Sequence, residues 1–183
     1  MIDMDLVNVV GGGDLGTSIN LHYFADTQEL PSQSYEPEIY SGIKFKLHED
    51  KPTILLFSSG KYHVTGATSI DELHETHKSL KEFIESELSV ELDEVTSPDV
   101  RNLVYVVDYG REVDLNGVSI ALGLENIEYN PENHPSLHYT PERGGHVMLF
   151  RTGKIILTGV KNANTAKTII DQFTNQLDSL FDL

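Results

Sequence analysis

Residues Phe57-Ser58-Ser59-Gly60-Lys61-Tyr62-His63-Val64-Thr65-Gly66 return 93 positions later as Phe150-Arg151-Thr152-Gly153-Lys154-Ile155-Ile156-Leu157-Thr158-Gly159. An apolar run precedes each copy, Thr53 to Leu56 in one and Val147 to Leu149 in the other. Each copy therefore reads as strand, Gly-Lys turn, strand. A side-chain period of 2 puts Leu55, Phe57, Lys61, His63 and Thr65 on one face, and Ile54, Leu56, Tyr62 and Val64 on the other. In the second copy Met148, Phe150, Lys154, Ile156 and Thr158 share the first face. That face is too apolar for idle solvent surface and too basic for core.

The echo spreads outward from this hairpin. Asn8-Val9-Val10 returns as Asn102-Leu103-Val104, Asp14-Leu15-Gly16 as Asp108-Tyr109-Gly110, and Tyr35-Glu36-Pro37-Glu38 as Tyr129-Asn130-Pro131-Glu132, each 94 positions on. One deletion accounts for the drift to 93. Nearly the whole chain is two copies of one unit, which we divide as residues 1–95 and 96–183. Ser69-Ile70-Asp71-Glu72 reads as a capping box opening a helix to about Leu88. Its stripe Leu73, His77, Leu80, Ile84 and Leu88 recurs as Ala166, Ile170, Phe173, Leu177 and Phe181, the spacing of a helix laid on a sheet. Thr17 or Ser18 is expected to cap a shorter helix through Ala25. Gly11 to Gly16 matches a dinucleotide-binding fingerprint. The second copy has Tyr105-Val106-Val107 in place of its first three glycines, so the match is set aside in favour of a strand end or a close backbone approach.

Taken in order and present twice, Asn-Val-Val, Tyr-x-Pro-Glu, Phe-Ser-Ser-Gly-Lys and Thr-Gly-Ala resemble the TATA-box-binding protein family over residues 6–181. The resemblance implies an α+β, two-repeat saddle: a curved ten-stranded antiparallel sheet with four helices on its convex face. Its concave face would lie on a widened minor groove, with aromatic wedges kinking the ends of the site. It implies a general transcription initiation factor that binds and bends A·T-rich promoter DNA, needs no cofactor or metal and has no catalytic residue. It also implies recruitment of a B-type initiation factor and, through the initiation complex, of RNA polymerase. The protein would act as a monomer on DNA, with a weak homodimer off it.

On that resemblance Asn8 and Asn102 read the centre of the groove, where an amide N–H meets the acceptors of A·T pairs. Phe57 and Phe150 are the hairpin wedges. Val10, Val104, Leu55, Met148, Ile156, Thr65 and Thr158 line the groove floor, Lys46, Lys61 and Lys154 are further DNA-binding candidates, and Ser59 and Thr152 fit either phosphate contacts or plain turn chemistry. Glu36, Glu38, Ile39 and Glu132 are the expected partner-binding residues. There are departures. Tyr40 and His134 stand where the family has a second pair of phenylalanines, His63 replaces a small apolar contact, and Thr140 replaces an arginine. The loop around Glu36 reads like the family's second repeat and that around Glu132 like its first, as if the halves were exchanged.

Composition bounds the function classes. There is no cysteine, which excludes disulfides and thiolate metal sites. No leader-like amino terminus or run of about 20 apolar residues is present, so a soluble, intracellular protein with no membrane role is expected: cytoplasmic in an archaeon, nuclear in a eukaryote. His74 and His77 lack the zinc-protease spacing, and His77 is expected half-buried and hydrogen-bonded. No nucleophile, metal set or carboxylate pair recurs in a cleft-like context, which argues against an enzyme. Thirteen Lys and Arg stand against 29 Asp and Glu, a net charge of −16 that should repel DNA as a whole. Ten of those acids fall between Asp71 and Asp99, on the expected helix and connector, whereas Lys44, Lys46, Lys61, Arg151 and Lys154 lie in or beside sheet segments. The expectation is a polarised molecule suited to high salt. The rival from another class is a TATA-binding-like interaction protein that binds proteins and not DNA.

Overall fold

The computed structural model describes residues 3–90, 92, 97–123 and 126–181. It divides into two units, residues 8–101 and residues 102–183 taken with those up to Val7. The expected boundary at 95/96, and the acids Glu91, Asp93 and Glu94 of the connector, lie outside the described residues.

The first unit carries β1 (Met4–Asp14) from Asn8 onward, α1 (Leu21–Thr27), β2 (Gly42–Lys46), β3 (Thr53–Phe57), β4 (Lys61–Ala67) and α2 (Ile70–Leu88). Its strands lie side by side in the order β2-β3-β4-β1, all antiparallel. The second carries β5 (Asp99–Asp108), α3 (Leu115–Leu122), β6 (Ile127–Glu128), β7 (Ser136–Tyr139), β8 (His146–Phe150), β9 (Lys154–Val160) and α4 (Ala163–Phe181). Its order is β5-β9-β8-β7-β6, again antiparallel. Nine strands are present among the described residues, not the expected ten. The missing one would match β6, but in the first unit that edge shrinks to a single bridge between Ser34 and Lys44.

Alternation makes these sheets two-faced. Ile43, Phe45, Ile54, Leu56, Tyr62 and Val64 are wholly buried under the helices, while the residues between them stay partly open. Phe24 of α1 reaches the same core, its ring 5.2 Å from Phe45 and 6.0 Å from Phe83. In the second unit Tyr139 stacks on Phe173 of α4 at 5.2 Å. Along α2 Leu73, Leu80 and Ile84 are buried, and along α4 Ala166, Ile170, Phe173 and Leu177, as the stripe predicts; Leu88, at the end of α2, is only half-buried, and the Phe181 side chain lies outside the described residues.

The hairpin turns explain the Gly-Lys pair. Gly60 and Gly153 adopt φ of +85° and +86°, a region costly for any residue with a Cβ. A Cβ there would also lie 2.0 Å from the Thr17 carbonyl oxygen or 2.2 Å from that of Arg111. The chain after β1 is seated on the tip: Leu15 N–H donates to the Gly60 carbonyl at 3.0 Å and Ile19 N–H to Ser58 at 2.9 Å. Tyr109 and Val113 repeat this on Gly153 and Arg151 at 3.0 and 2.8 Å. This seat corrects the expected start of α1. Residues up to Ile19 are held on the hairpin, so the helix cannot open at Thr17 or Ser18; Asn20 caps it, accepting from Tyr23 N–H at 3.1 Å.

Two further expectations are refined. Gly11–Gly13 do not form a phosphate loop; they continue β1, and a Cβ on Gly12 would meet the Tyr62 carbonyl oxygen at 2.2 Å. A Cβ on Gly11 would meet Leu73 at 2.4 Å. The aligned pair in the other repeat is Tyr105 and Ala166, both buried, so the bulk has moved from helix to strand. At the start of α2 Ser69 Oγ accepts from Glu72 N–H at 3.0 Å, but Glu72 reaches back to Thr68, binding its N–H at 2.7 Å and hydroxyl at 2.9 Å.

His77 lies half-buried, bound through Nδ1 to the Tyr62 hydroxyl at 2.5 Å. Burial, and then the charges of His74 and Lys81, hold its pKa below the ordinary histidine value. A depressed base binds fewer protons folded than unfolded, so its contribution is complete at high pH and lost as pH falls. Thermal unfolding followed by circular dichroism should show a melting temperature that declines as pH drops below about 6.5. His77→Leu should flatten that decline.

Candidate nucleic-acid interface

Each sheet turns one face away from its helices. In the first unit the cross-strand rows of that open face are Lys46–Thr53–Thr65 and Lys44–Leu55–His63, with Gly42 opposite Phe57. In the second they are His138–Met148–Ile156–Val106 and His146–Thr158, with Ser136 opposite Phe150. Val10 and Val104 lie half-buried at aligned strand positions. Lys61 and Lys154, both exposed, open β4 and β9 opposite Asp14 and Asp108. Ser59 and Thr152 sit on the hairpin tips, each accepting from a lysine N–H two residues on at 3.4 Å.

The two asparagines are held alike. Asn8 Oδ1 accepts from Gly66 N–H at 2.9 Å, and Asn102 Oδ1 from Gly159 N–H at 2.7 Å. Fixing the oxygen fixes the amide and directs its N–H groups away from the strand. Asn102 also spends one N–H on the Thr158 hydroxyl at 3.1 Å. The carbonyl oxygen of each side chain thus belongs to the fold, as does one amide hydrogen of Asn102.

The wedge positions differ between units. Phe57 lies between Tyr40 and His63, with ring centroids 5.8 and 5.7 Å away and both contacts edge-on. Gly42 permits this, since a Cβ there would be 3.0 Å from Phe57 and 3.1 Å from Tyr40. His63 Nε2 is 2.7 Å from the Arg101 guanidinium, which can only donate, so His63 is the neutral acceptor. Burial and the Arg101 charge lower its pKa accordingly. Among the described residues Phe150 has no such aromatic pair. Beside it the buried Ser136 hydroxyl lies 2.8 Å from His134 Nδ1 and 3.1 Å from His138 Nε2, and His138 Nδ1 lies 2.8 Å from His146 Nε2.

The turn residues expected to bind a partner are all exposed. Glu36, Glu38 and Ile39 surround a turn closed by Ile39 and Tyr40 N–H groups on the Glu36 carbonyl, both at 2.9 Å, and Ile39 is 80% exposed. Glu132 lies on the matching turn, closed on the Asn130 carbonyl by Asn133 and His134 at 3.0 Å. Sequence reading missed Arg101, Gly42, Ser136, His138 and His146. Three histidines in thirteen residues, 134 to 146, was the available signal. Among the described residues no cluster of His, Asp or Glu has metal-binding geometry, and no helix is long and apolar enough to cross a membrane.

The family model described as transcription factor TFIID (or TATA-binding protein, TBP) matches this chain twice, over residues 3–86 and 97–180. The chain belongs to the TATA-box-binding protein family. It is 35% identical over 178 residues to TATA-box-binding protein C of Halobacterium salinarum, covering 97% of this chain and 98% of that protein. The TATA-box-binding protein of Natronomonas pharaonis is also 35% identical, over 97% of this chain and 94% of its own length. Among solved structures, Methanococcus jannaschii TBP matches with a TM-score of 0.85 and 30% identity, over 97% of this chain and 99% of that one. The family is one of transcription factors, not an enzyme family.

The division of labour within the asparagines can be checked on stability alone. Asn102→Asp keeps the oxygen that Gly159 needs, whereas Asn102→Leu removes it. Chemical denaturation should show the leucine variant weaker by about 1 kcal/mol and the aspartate variant within about 0.5 kcal/mol of the parent.

Proposed function

We propose that this protein is a general transcription initiation factor that binds and bends A·T-rich promoter DNA through the minor groove. The observation that carries the reading is the duplicated open face: in each unit an anchored asparagine with free amide hydrogen, an apolar strip and a phenylalanine before the hairpin turn. The amide N–H groups of Asn8 and Asn102 suit the acceptors that A·T pairs show in the minor groove. Val10, Val104, Leu55, Met148, Ile156, Thr65 and Thr158 give a smooth floor that reads groove width. Lys46, Lys61 and Lys154, with the tip hydroxyls of Ser59 and Thr152, approach the phosphates. Phe57 and Phe150 enter base steps; unstacking costs a few kcal/mol per step and is offset by the contact that bent DNA gains. Tyr40 backs Phe57 edge-on. His134 is a smaller, polar companion for Phe150, so the two ends of the site are gripped unequally.

Phe57→Ala combined with Phe150→Ala should abolish the bend measured by energy transfer between end-labelled fluorophores, with the circular dichroism spectrum unchanged. Undiminished bending in that variant would refute the wedge role. The net charge of −16 supports a second reading, a protein-binding member of the family with no tight grip on DNA. Absence of any complex with an A·T-rich duplex across a wide range of potassium chloride would establish that reading.

The same protein recruits a B-type initiation factor, and RNA polymerase through it, by an exposed turn. Two acids beside an apolar residue suit a basic partner surface with a pocket. The first repeat keeps all three as Glu36, Glu38 and Ile39; the second retains Glu132 between Asn130 and Asn133. The partner therefore docks on the first repeat. Glu36→Arg with Glu38→Arg should destroy the ternary complex in a gel-shift assay and spare the binary one. If Glu132→Arg does the damage instead, docking is on the second repeat.

A further inference from the structure

The two repeats carry their open-face charge in different forms. Lys44 in β2 is a permanent cation facing Leu55, and its aligned position in β7 is His138, facing Met148. Around His138 three more aligned positions have changed together: Tyr40 to His134, Gly42 to Ser136, and Thr53 to His146. The four new side chains form one continuous hydrogen-bonded line across the face. His134 Nδ1 lies 2.8 Å from Ser136 Oγ, Ser136 Oγ 3.1 Å from His138 Nε2, and His138 Nδ1 2.8 Å from His146 Nε2.

The line has a definite proton economy. With all three imidazoles neutral, His134 Nδ1 accepts from the Ser136 N–H at 3.4 Å and from the Ser136 hydroxyl, His138 Nε2–H donates to Ser136 Oγ, and His146 Nε2–H donates to His138 Nδ1. Every interior group is then satisfied. The outer nitrogens, His134 Nε2 and His146 Nδ1, make no hydrogen bond among the described residues. An added proton can enter at His146 Nδ1, or pass along the line to His138, without breaking a bond. A second proton meets the charge of the first at short range, which opposes it. His138 Nε2 also lies 3.2 Å from His134 Nδ1, and among the described residues no group of His, Asp or Glu has the geometry to hold a metal ion.

The surroundings are otherwise simple. The charged or titratable groups facing His138 are Glu128, directly opposite on β6, and the two other histidines; from β8 and β9 it meets Met148 and Ile156 in its own row. Burial first, and then His146 and His134, hold its pKa down against the pull of Glu128. The resting line is therefore neutral near its centre.

We propose that His134, Ser136, His138 and His146 form a phosphodiester-binding site that becomes cationic by taking up a proton as the DNA backbone approaches. The inference rests on the reading of the open face as a DNA surface. In a chain of net charge −16, a grip that is neutral off DNA and positive on it adds attraction only where the polyanion is present. Beside the lysines Lys61 and Lys154 that the repeats share, the first repeat adds the fixed charge of Lys44 and the second a conditional one. Since the bound state carries more protons than the free state, affinity rises as pH falls, and one proton taken up limits the rise to about tenfold per pH unit.

The test is the full chain titrated into a fluorescein-labelled A·T-rich duplex by anisotropy, at fixed potassium chloride, between about pH 5.5 and 8.5. Calorimetry in two buffers of different ionisation heat counts the protons. The parent protein should weaken several-fold between about pH 6 and 8 and take up about one proton per complex near the midpoint. His138→Lys, which copies the first repeat, should bind at high pH nearly as tightly as the parent does at low pH, with a shallower profile. His138→Gln, which cannot carry the proton at the centre of the line, should bind more weakly than the parent at low pH, again with a shallower profile. A parent profile that is flat, or proton uptake unchanged in both variants, overturns the inference and leaves the proposed function standing. Failure of every protein to bind the duplex at any pH overturns both. The parent's proton count needs no variant, so a misfolded substitution does not spare the idea.

Discussion

Everything on the open faces is positioned by a backbone contact on their edges, the seating of the chain after the first strand of each repeat on the hairpin tip. Two N–H···O bonds hold it, and a glycine at each tip supplies both the left-handed turn and the space for a carbonyl oxygen to come within 2.0 or 2.2 Å of where a Cβ would be. The seat fixes where β1 and β5 end relative to the hairpins. It thereby fixes the register that puts Asn8 beside Gly66 and Asn102 beside Gly159. A slip of one residue in either hairpin would turn Phe57 or Phe150 into the core and a leucine outward.

Beneath the faces the repeats solve one packing problem in two ways. Leu73 presses against a strand of glycines in one, and in the other the bulky residue stands on the strand as Tyr105 and the small one on the helix as Ala166, both buried. Interiors pack near crystal density, so bulk lost on one side of a contact has to return on the other. Such exchange leaves the backbone unchanged while the sequences drift. The polar pair Tyr62 and His77 survives in that interior because each satisfies the other. At the aligned positions, Ile155 and Ile170, two buried isoleucines replace it.

Much of this was legible in the chain itself, for identifiable reasons. A repeat whose turns need glycine and whose strands alternate leaves its mark at fixed spacing, so the hairpins, the long helices and the two-faced sheets could be read directly. Local competition was harder to see. Thr17 and Ser18 have the chemistry of a cap, but the hairpin claims that stretch of backbone, and only the tertiary fold shows it. The tenth strand came from the resemblance and not from the residues, and at that edge of the first unit a lone bridge between Ser34 and Lys44 is found. The site was half visible. Asn8, Asn102, Phe57 and Phe150 announce themselves by recurring. His138 and His146 do not recur, and their meeting depends on the register of β7 against β8 across an intervening loop. Arg101 and His63 are 38 residues apart and share no pattern.

The seat on the hairpin tip is made entirely of main-chain atoms, since Thr17 and Arg111 present the same carbonyl although their side chains have nothing in common. Scaffold and recognition surface are therefore written in separable parts of the sequence. Duplication of an ancestral half needs no matching change at the joint to remain foldable, and each half is free afterwards to acquire its own chemistry on the exposed strands. Whole rows of side chains could be transplanted from one repeat to the other as cassettes, with the glycine-tipped frame left untouched.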